Sequence, residues 1–295
     1  MKKWLTLLLA SLLVLALAAC GGNEEKDNAG KNNDEPKKDQ VIKIGAIPDQ
    51  SATELNSNME SVAKTLSEKT GMKVEFVPSV DYAALVTAFQ RGEIQLAWFG
   101  GLTGVQARNL VPEAEAIAQR PKDAEFHSVF ITNDPSIKSL ADLKGKTFTF
   151  GSESSTSGHL MPRYYLIEEG IDPTKDFDGQ PNFSGSHDTT YKLVESGAFK
   201  AGALNVSVWE TAVAEKKVDT SKVSVFYTTP AYYDYHWTVN KMDDETKKAL
   251  KDALLSMNAE DLEGLDMFAA DKFVETKNEN YQAIEKVAKE LKIIK

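Results

Sequence analysis

From Val41 to Gly104 the chain alternates short β-branched runs with longer amphipathic ones, and that rhythm limits the fold more than any other feature. Residues 41–47 (Val-Ile-Lys-Ile-Gly-Ala-Ile) read as a strand. Ser51 and Glu54 have the spacing of a capping box before a helix over 55–70, which Gly71 stops. A second strand over 73–77 ends at Pro78. Asp81 then caps a helix with the apolar stripe Leu85, Ala88 and Phe89, closed at Gly92, and a third strand occupies 94–99. This βαβαβ order predicts a mostly parallel sheet with helices on its faces, and ligands of such sheets sit beyond the carboxyl ends of the strands. The junctions at 48–51, 100–104 and 151–157 are therefore the candidate site loops.

The rhythm resets near Asn133, with strands expected over 127–133, 146–150, 201–205, 223–228 and 238–240, and helices from Asp243 onward. Two α/β lobes are expected: one discontinuous, 41–131 plus 238–295, and one continuous, 132–237, with a small-molecule cleft between them. The central feature of the second lobe is Phe148-Thr149-Phe150 running into Gly151-Ser152-Glu153-Ser154-Ser155-Thr156-Ser157-Gly158 and an apolar, helix-like stretch over 159–169. A helix entered this way aims backbone N–H groups and the positive end of its dipole at whatever lies before it, which makes an anion seat. Ser155, Thr156 and Ser157 add hydroxyl donors. On spacing alone, a plain serine-rich cap reads equally well.

The first twenty residues have a Lys2-Lys3 start, an apolar stretch too short to span a bilayer, and Leu17-Ala18-Ala19-Cys20, which resembles a bacterial lipobox. Cys20 is the only cysteine, so it has no partner for a disulfide and is read as a lipidation site. Residues 21–40 are polar, without apolar periodicity, and read as a flexible tether. The formal charge of −10 becomes −12 once Lys2 and Lys3 leave with the leader. Such an acidic surface argues against nucleic acid and requires any anion site to be local.

Several further stretches carry a resemblance when taken in order: Val80-Asp81-Tyr82-Ala83-Ala84, Trp98-Phe99-Gly100, residues 139–146 (Ser-Leu-Ala-Asp-Leu-Lys-Gly-Lys), Ser155-Thr156-Ser157-Gly158 and Gly185-Ser186-His187-Asp188. The chain resembles the extracytoplasmic substrate-binding proteins of ABC importers in the phosphonate/phosphite family. The wording around Trp98–Ala107 and Tyr232–Trp237 is similar to a branch labelled selenate importers. The resemblance implies a periplasmic-binding-protein fold of type II character, two lobes closing on a tetrahedral oxyanion. It assigns Ser155, Thr156, Ser157, His187, Tyr82 and Asp234 to the ligand, and a permease and an ATPase as partners of a lipid-anchored, extracytoplasmic monomer. Two positions depart from the family pattern: Gly101 stands where Pro is usual after Trp-Phe-Gly, and Gly104 where a Tyr is usual.

No cofactor is expected. His127, His159 and His236 have no metal-ligand spacing. No Gly-x-Ser-x-Gly elbow occurs, and no catalytic residue is assigned. The alternatives to oxyanion capture for import are a selenate importer's binding protein, a surface phosphoester-acting enzyme and a ligand-sensing receptor module.

Overall fold

The computed structural model describes residues 41–265 and 267–295. The expected leader, Cys20 and the tether lie outside them. The chain runs β1 (Val41–Ala46), α1 (Ala52–Thr70), β2 (Lys73–Phe76), α2 (Tyr82–Gln90), β3 (Leu96–Phe99), α3 (Gly101–Leu110) and β4 (Glu115–Gln119). It continues as β5 (Ser128–Thr132), β6 (Phe148–Phe150), α4 (Met161–Glu168), β7 (Asn182–Phe183), α5 (His187–Glu195), β8 (Ala201–Asn205), α6 (Val206–Ala214) and β9 (Ser224–Thr228). The last elements are β10 (His236–Val239), α7 (Asp244–Leu255), α8 (Ala259–Leu262), β11 (Val274–Glu275) and α9 (Gln282–Glu290).

Two sheets result, a six-stranded one ordered β11-β4-β10-β3-β1-β2 and a five-stranded one ordered β7-β6-β8-β5-β9. The α/β two-lobe architecture matches the expectation. The sheets, however, are mixed rather than mostly parallel: β1 pairs parallel with β2 and β3, whereas β10 runs antiparallel between β3 and β4. In the second sheet β6 pairs parallel with β7 and β8, and β5 antiparallel with β8 and β9. Because β5 belongs to the second sheet and β10 to the first, the chain leaves the first lobe after Gln119 and returns after Thr228. Both crossings fall a few residues before the expected boundaries at 131/132 and 237/238. The crossing segments are bonded to each other through Phe126 N–H to Tyr232 O (2.8 Å) and Tyr232 N–H to Phe126 O (2.9 Å).

The first lobe is centred on a buried aromatic group in which Trp98 meets Trp237 at 5.3 Å and Phe268 at 5.1 Å between ring centroids. In the second lobe successive residues of β5 face opposite sides of the sheet. Phe130 joins Phe148, Phe150 and Leu166 on one side, while Val129 and Ile131 join Tyr191, Val194 and Leu204 on the other. Helix α1 ends at Gly71 in the left-handed conformation (φ 70°), as expected, but the Ser51–Glu54 capping box does not form. Glu54 instead reaches across to Lys217 of the second lobe (2.8 Å). The C-terminal stretch, expected to hold helices with a polar break at Asn278 and Asn280 and no strand of its own, contributes the short strand β11 to the first sheet's edge.

Candidate functional site

The Ser-Thr-Ser turn sits where β6 ends. Ser155 caps the turn after it by accepting Gly158 N–H on its Oγ (2.9 Å), so the plain-cap reading holds for this one hydroxyl's lone pair. Its O–H is left to donate elsewhere. The helix entry is a π turn over Thr156–Leu160 before α4 begins, a local widening frequent at functional sites. Ser155, Thr156 and Ser157 are all buried, and Thr156 Oγ1 accepts Leu102 N–H from the first lobe (2.9 Å).

Tyr82 is the first residue of α2, held there by Asp81, whose side chain accepts Ala84 N–H at 2.6 Å. Its hydroxyl is buried without a hydrogen-bond partner, and burial followed by the charge of Asp49 raises its pKa well above the usual phenol range. The Ser155 hydroxyl is close enough to act the other way. His187 opens α5 and is fully buried. Asn205 N–H donates to its Nδ1 (3.3 Å), which leaves the proton on Nε2, 3.4 Å from the Tyr235 hydroxyl. Burial lowers the pKa of His187 to about 4, so the imidazole is a neutral donor at physiological pH.

Asp234 lies just before β10. Its Oδ1 accepts Gly101 N–H at the start of α3 (2.8 Å), and its Oδ2 is buried with no partner. Burial raises its pKa to about 7, against the lowering contacts of Gly101, Thr156 and Ser157. Arg163 donates to His159 Nε2 (2.8 Å). The six residues singled out from the sequence are thus all buried, and close contacts tie five of them together in two groups: Tyr82 to Ser155, and Asp234 to Thr156 and Ser157.

Both departures from the family pattern have a structural reason. Proline at position 101 would lack the N–H that Asp234 accepts. A side chain at Gly104 would collide with the His236 ring, whose Nε2 would lie 2.3 Å from an added Cβ. His236 fills the space there, donating from Nδ1 to Asp234 O (2.9 Å) and accepting Arg108 on Nε2 (2.7 Å).

Sequence reasoning missed Asp49, although it lies in the 48–51 junction that the strand order nominated. Asp49 O accepts His187 N–H across the lobes (2.9 Å), and its Oδ2 accepts the Tyr235 hydroxyl (2.7 Å). Tyr235 also receives Asn205 Nδ2–H (2.9 Å). No sequence signal marks Asn205, at the end of a strand of small residues. Among the described residues, no group of three or more His, Cys, Asp or Glu side chains is arranged to hold a metal ion.

This arrangement of neutral donors around a hydroxyl turn fits a small oxyanion. The sequence model of the ABC transporter phosphonate periplasmic substrate-binding proteins matches residues 44–281. This chain belongs to that family. The phosphonate-binding family assignment is supported by 42% identity over 272 residues to the Probable ABC transporter phosphite binding protein PhnD1 of Prochlorococcus marinus, covering 87% of this chain and 91% of that protein. The solved structure of PhnD1 in complex with methylphosphonate superposes with a TM-score of 0.82 at 41% identity, over 86% of this chain and 99% of the other. A binding component of an ABC phosphonate transporter from Pseudomonas aeruginosa gives a TM-score of 0.75 at 26% identity, over 84% and 85% of the two chains. Members of this family are substrate-binding components of importers, which sets the phosphoester-enzyme alternative aside.

Proposed function

We propose that this substrate-binding protein captures phosphite or a short phosphonate as its monoanion and delivers it to a permease and its ATPase. The observation that carries the reading is a pair of buried polar atoms without hydrogen-bond partners beside a run of buried hydroxyls. Tyr82 Oη and Asp234 Oδ2 have no partner, and they adjoin Ser155, Thr156 and Ser157. Unpaired buried groups are costly, and a ligand that satisfies them recovers that cost. The hydroxyls of residues 155–157, Tyr82 and His187 Nε2–H donate to the anionic oxygens, while Asp234 accepts the ligand's P–O–H. The relatives named for phosphite and solved with methylphosphonate support the ligand class.

Calorimetry with methylphosphonate, phosphite, phosphate, sulfate and selenate tests the class. Thr156→Ala and Ser157→Ala are each expected to weaken binding of the preferred ligand by about 1–3 kcal/mol, the cost of an unmade bond to a charged group. Undiminished affinity in both variants would reduce the turn to a helix cap.

The protein is further proposed to be anchored on the outer face of the cell membrane through a diacylated Cys20. The lipobox-like Leu17-Ala18-Ala19-Cys20 motivates this, as does the fact that no described helix is long and apolar enough to cross a membrane. Cys20→Ala should move the protein from the membrane fraction to the soluble one; continued membrane retention would refute the anchor.

A further inference from the structure

We infer that Asp49 is a second ligand-facing acid, set against Asp234, and that it enters the complex protonated, donating from Oδ1 to a ligand oxygen. The inference rests on the oxyanion reading above and adds to it a proton that the protein supplies.

Asp49 lies beyond the carboxyl end of β1, an interior strand of the first sheet, where α/β folds place their ligands. Its side chain is 4% exposed, and its two oxygens differ in kind. Oδ2 accepts the Tyr235 hydroxyl at 2.7 Å; Oδ1 is buried with no partner. The residue is placed by His187, whose N–H bonds its backbone carbonyl, and it is the strongest charge acting on the Tyr82 hydroxyl. Its neighbours are therefore two of the residues assigned to the ligand, and its unmet oxygen is the third such atom of the site, after Tyr82 Oη and Asp234 Oδ2.

Two acids impose a proton count. A phosphonate monoanion carries a single P–O–H, and Asp234 takes it. An ionised Asp49 would then face a phosphoryl oxygen across a desolvated gap, which is repulsive. A protonated Asp49 has an O–H to give, and Oδ1 is the position left for it. Burial outweighs the groups around it that oppose this. The Tyr235 hydroxyl's bond to Oδ2 favours the ionised form, as does Arg120, which Asp123 pairs at 2.6 Å; Asp188 disfavours it, and Tyr82 and His187 carry no charge. Burial already raises the pKa of Asp49 to about 6 without ligand.

The test is calorimetry of methylphosphonate and of phosphite, in pairs of buffers with different ionisation heats, from about pH 6 to about pH 9. After the ligand's own ionisation is subtracted, and above about pH 7 where Asp234 no longer has a proton to release on accepting the P–O–H, the wild-type protein should take up about one proton per ligand, with affinity falling about tenfold per pH unit on that limb. Asp49→Asn carries a permanent N–H donor. It should take up no such proton, lose that limb and bind more tightly than wild type at the alkaline end. Tyr235→Phe keeps the carboxylate but removes the Oδ2 bond, and should move the limb to higher pH. Wild type that binds either ligand with no excess proton uptake above about pH 7 overturns the role of Asp49 while leaving the ligand class intact. An Asp49→Asn profile equal to wild type does the same. Wild type that binds neither ligand overturns both.

Discussion

Arg120→Met is expected to destabilise the protein by about 3–5 kcal/mol, the usual cost of leaving one member of a buried ion pair alone. Arg120 and Asp123 are 3% and 0% exposed. The guanidinium is held from three sides. It donates to both Asp123 oxygens (2.7 and 2.6 Å), to Met267 O (2.9 Å) and to Phe268 O (3.2 Å), and it lies 5.2 Å from the Trp98 ring and 5.0 Å from that of Tyr235. Methionine fills similar volume but leaves the buried Asp123 carboxyl with only the backbone N–H of residue 120 (3.0 Å) in place of the guanidinium, and the backbone carbonyl of Asp123 is the acceptor for Asp234 N–H. The damage should therefore reach ligand affinity as well as stability. The double variant Arg120→Met, Asp123→Leu removes both charges and should recover most of the stability. Chemical denaturation of the two variants decides it. A loss below about 1 kcal/mol in Arg120→Met would mean that water reaches Asp123 and the pair is not a dry one.

Asp234→Asn should have two opposed effects, tighter folding and weaker discrimination. The folded protein holds the carboxyl proton up to about pH 7 because of burial, whereas the ordinary value is 3.8. Between those pH values the folded state binds a proton that the unfolded chain has released. Stability from this group is complete below the lower value and falls as pH rises through the window. Asparagine removes that fall, so the ligand-free variant should be more stable than wild type above neutrality, by on the order of 2–4 kcal/mol. Thermal melts across the range will show the gap widening with pH; a constant offset would argue against the cause. For ligands, wild-type affinity for phosphite and methylphosphonate should fall as the ligand loses its last proton, and Asp234→Asn should fall less steeply. Tight, pH-independent selenate binding by wild type would remove Asp234 from the ligand and favour the selenate reading.

Local features were the most legible in the sequence. Asp81 caps α2 through a residue three positions away, and Gly71 stops α1, because each needs only its own turn. The Ser51–Glu54 pair had the same local logic, yet a longer-range partner, Lys217, takes Glu54. Strand β4 (Glu-Ala-Ile-Ala-Gln) has an alanine-rich composition that favours helix. It becomes a strand because β10 and β11 arrive from more than a hundred residues away to pair with it. Helix α6 is masked in the sequence for a related reason: Val206, Val208 and Val213 are β-branched, and the helix is fixed by Asn205, which caps it by accepting Val208 N–H (3.1 Å). Within the candidate site, the hydroxyl turn and His187 lie in short contiguous motifs that a sequence displays directly. The significance of Asp49 is not displayed there, since a lone acid in a loop reads as a solvated turn until the second lobe is seen to cover it. The glycines at 101 and 104 were visible as departures, but their meaning lies in Asp234 and His236, which share no local sequence with them.

The placement of β10 between β3 and β4 also governs the order in which the molecule can be completed. The five strands of the second sheet are all contained between Ser128 and Thr228, so that sheet is fully encoded by one uninterrupted segment. The first sheet is not. Until Val239 has been made, β3 and β4 lack the strand that joins them, and both present unpaired backbone edges. A fragment ending before His236 can therefore hold every strand of the second sheet while leaving the first split down its middle. The C-terminal quarter of the chain supplies the inserted strand itself, with Trp237 against Trp98, and so determines when the first sheet becomes one continuous surface.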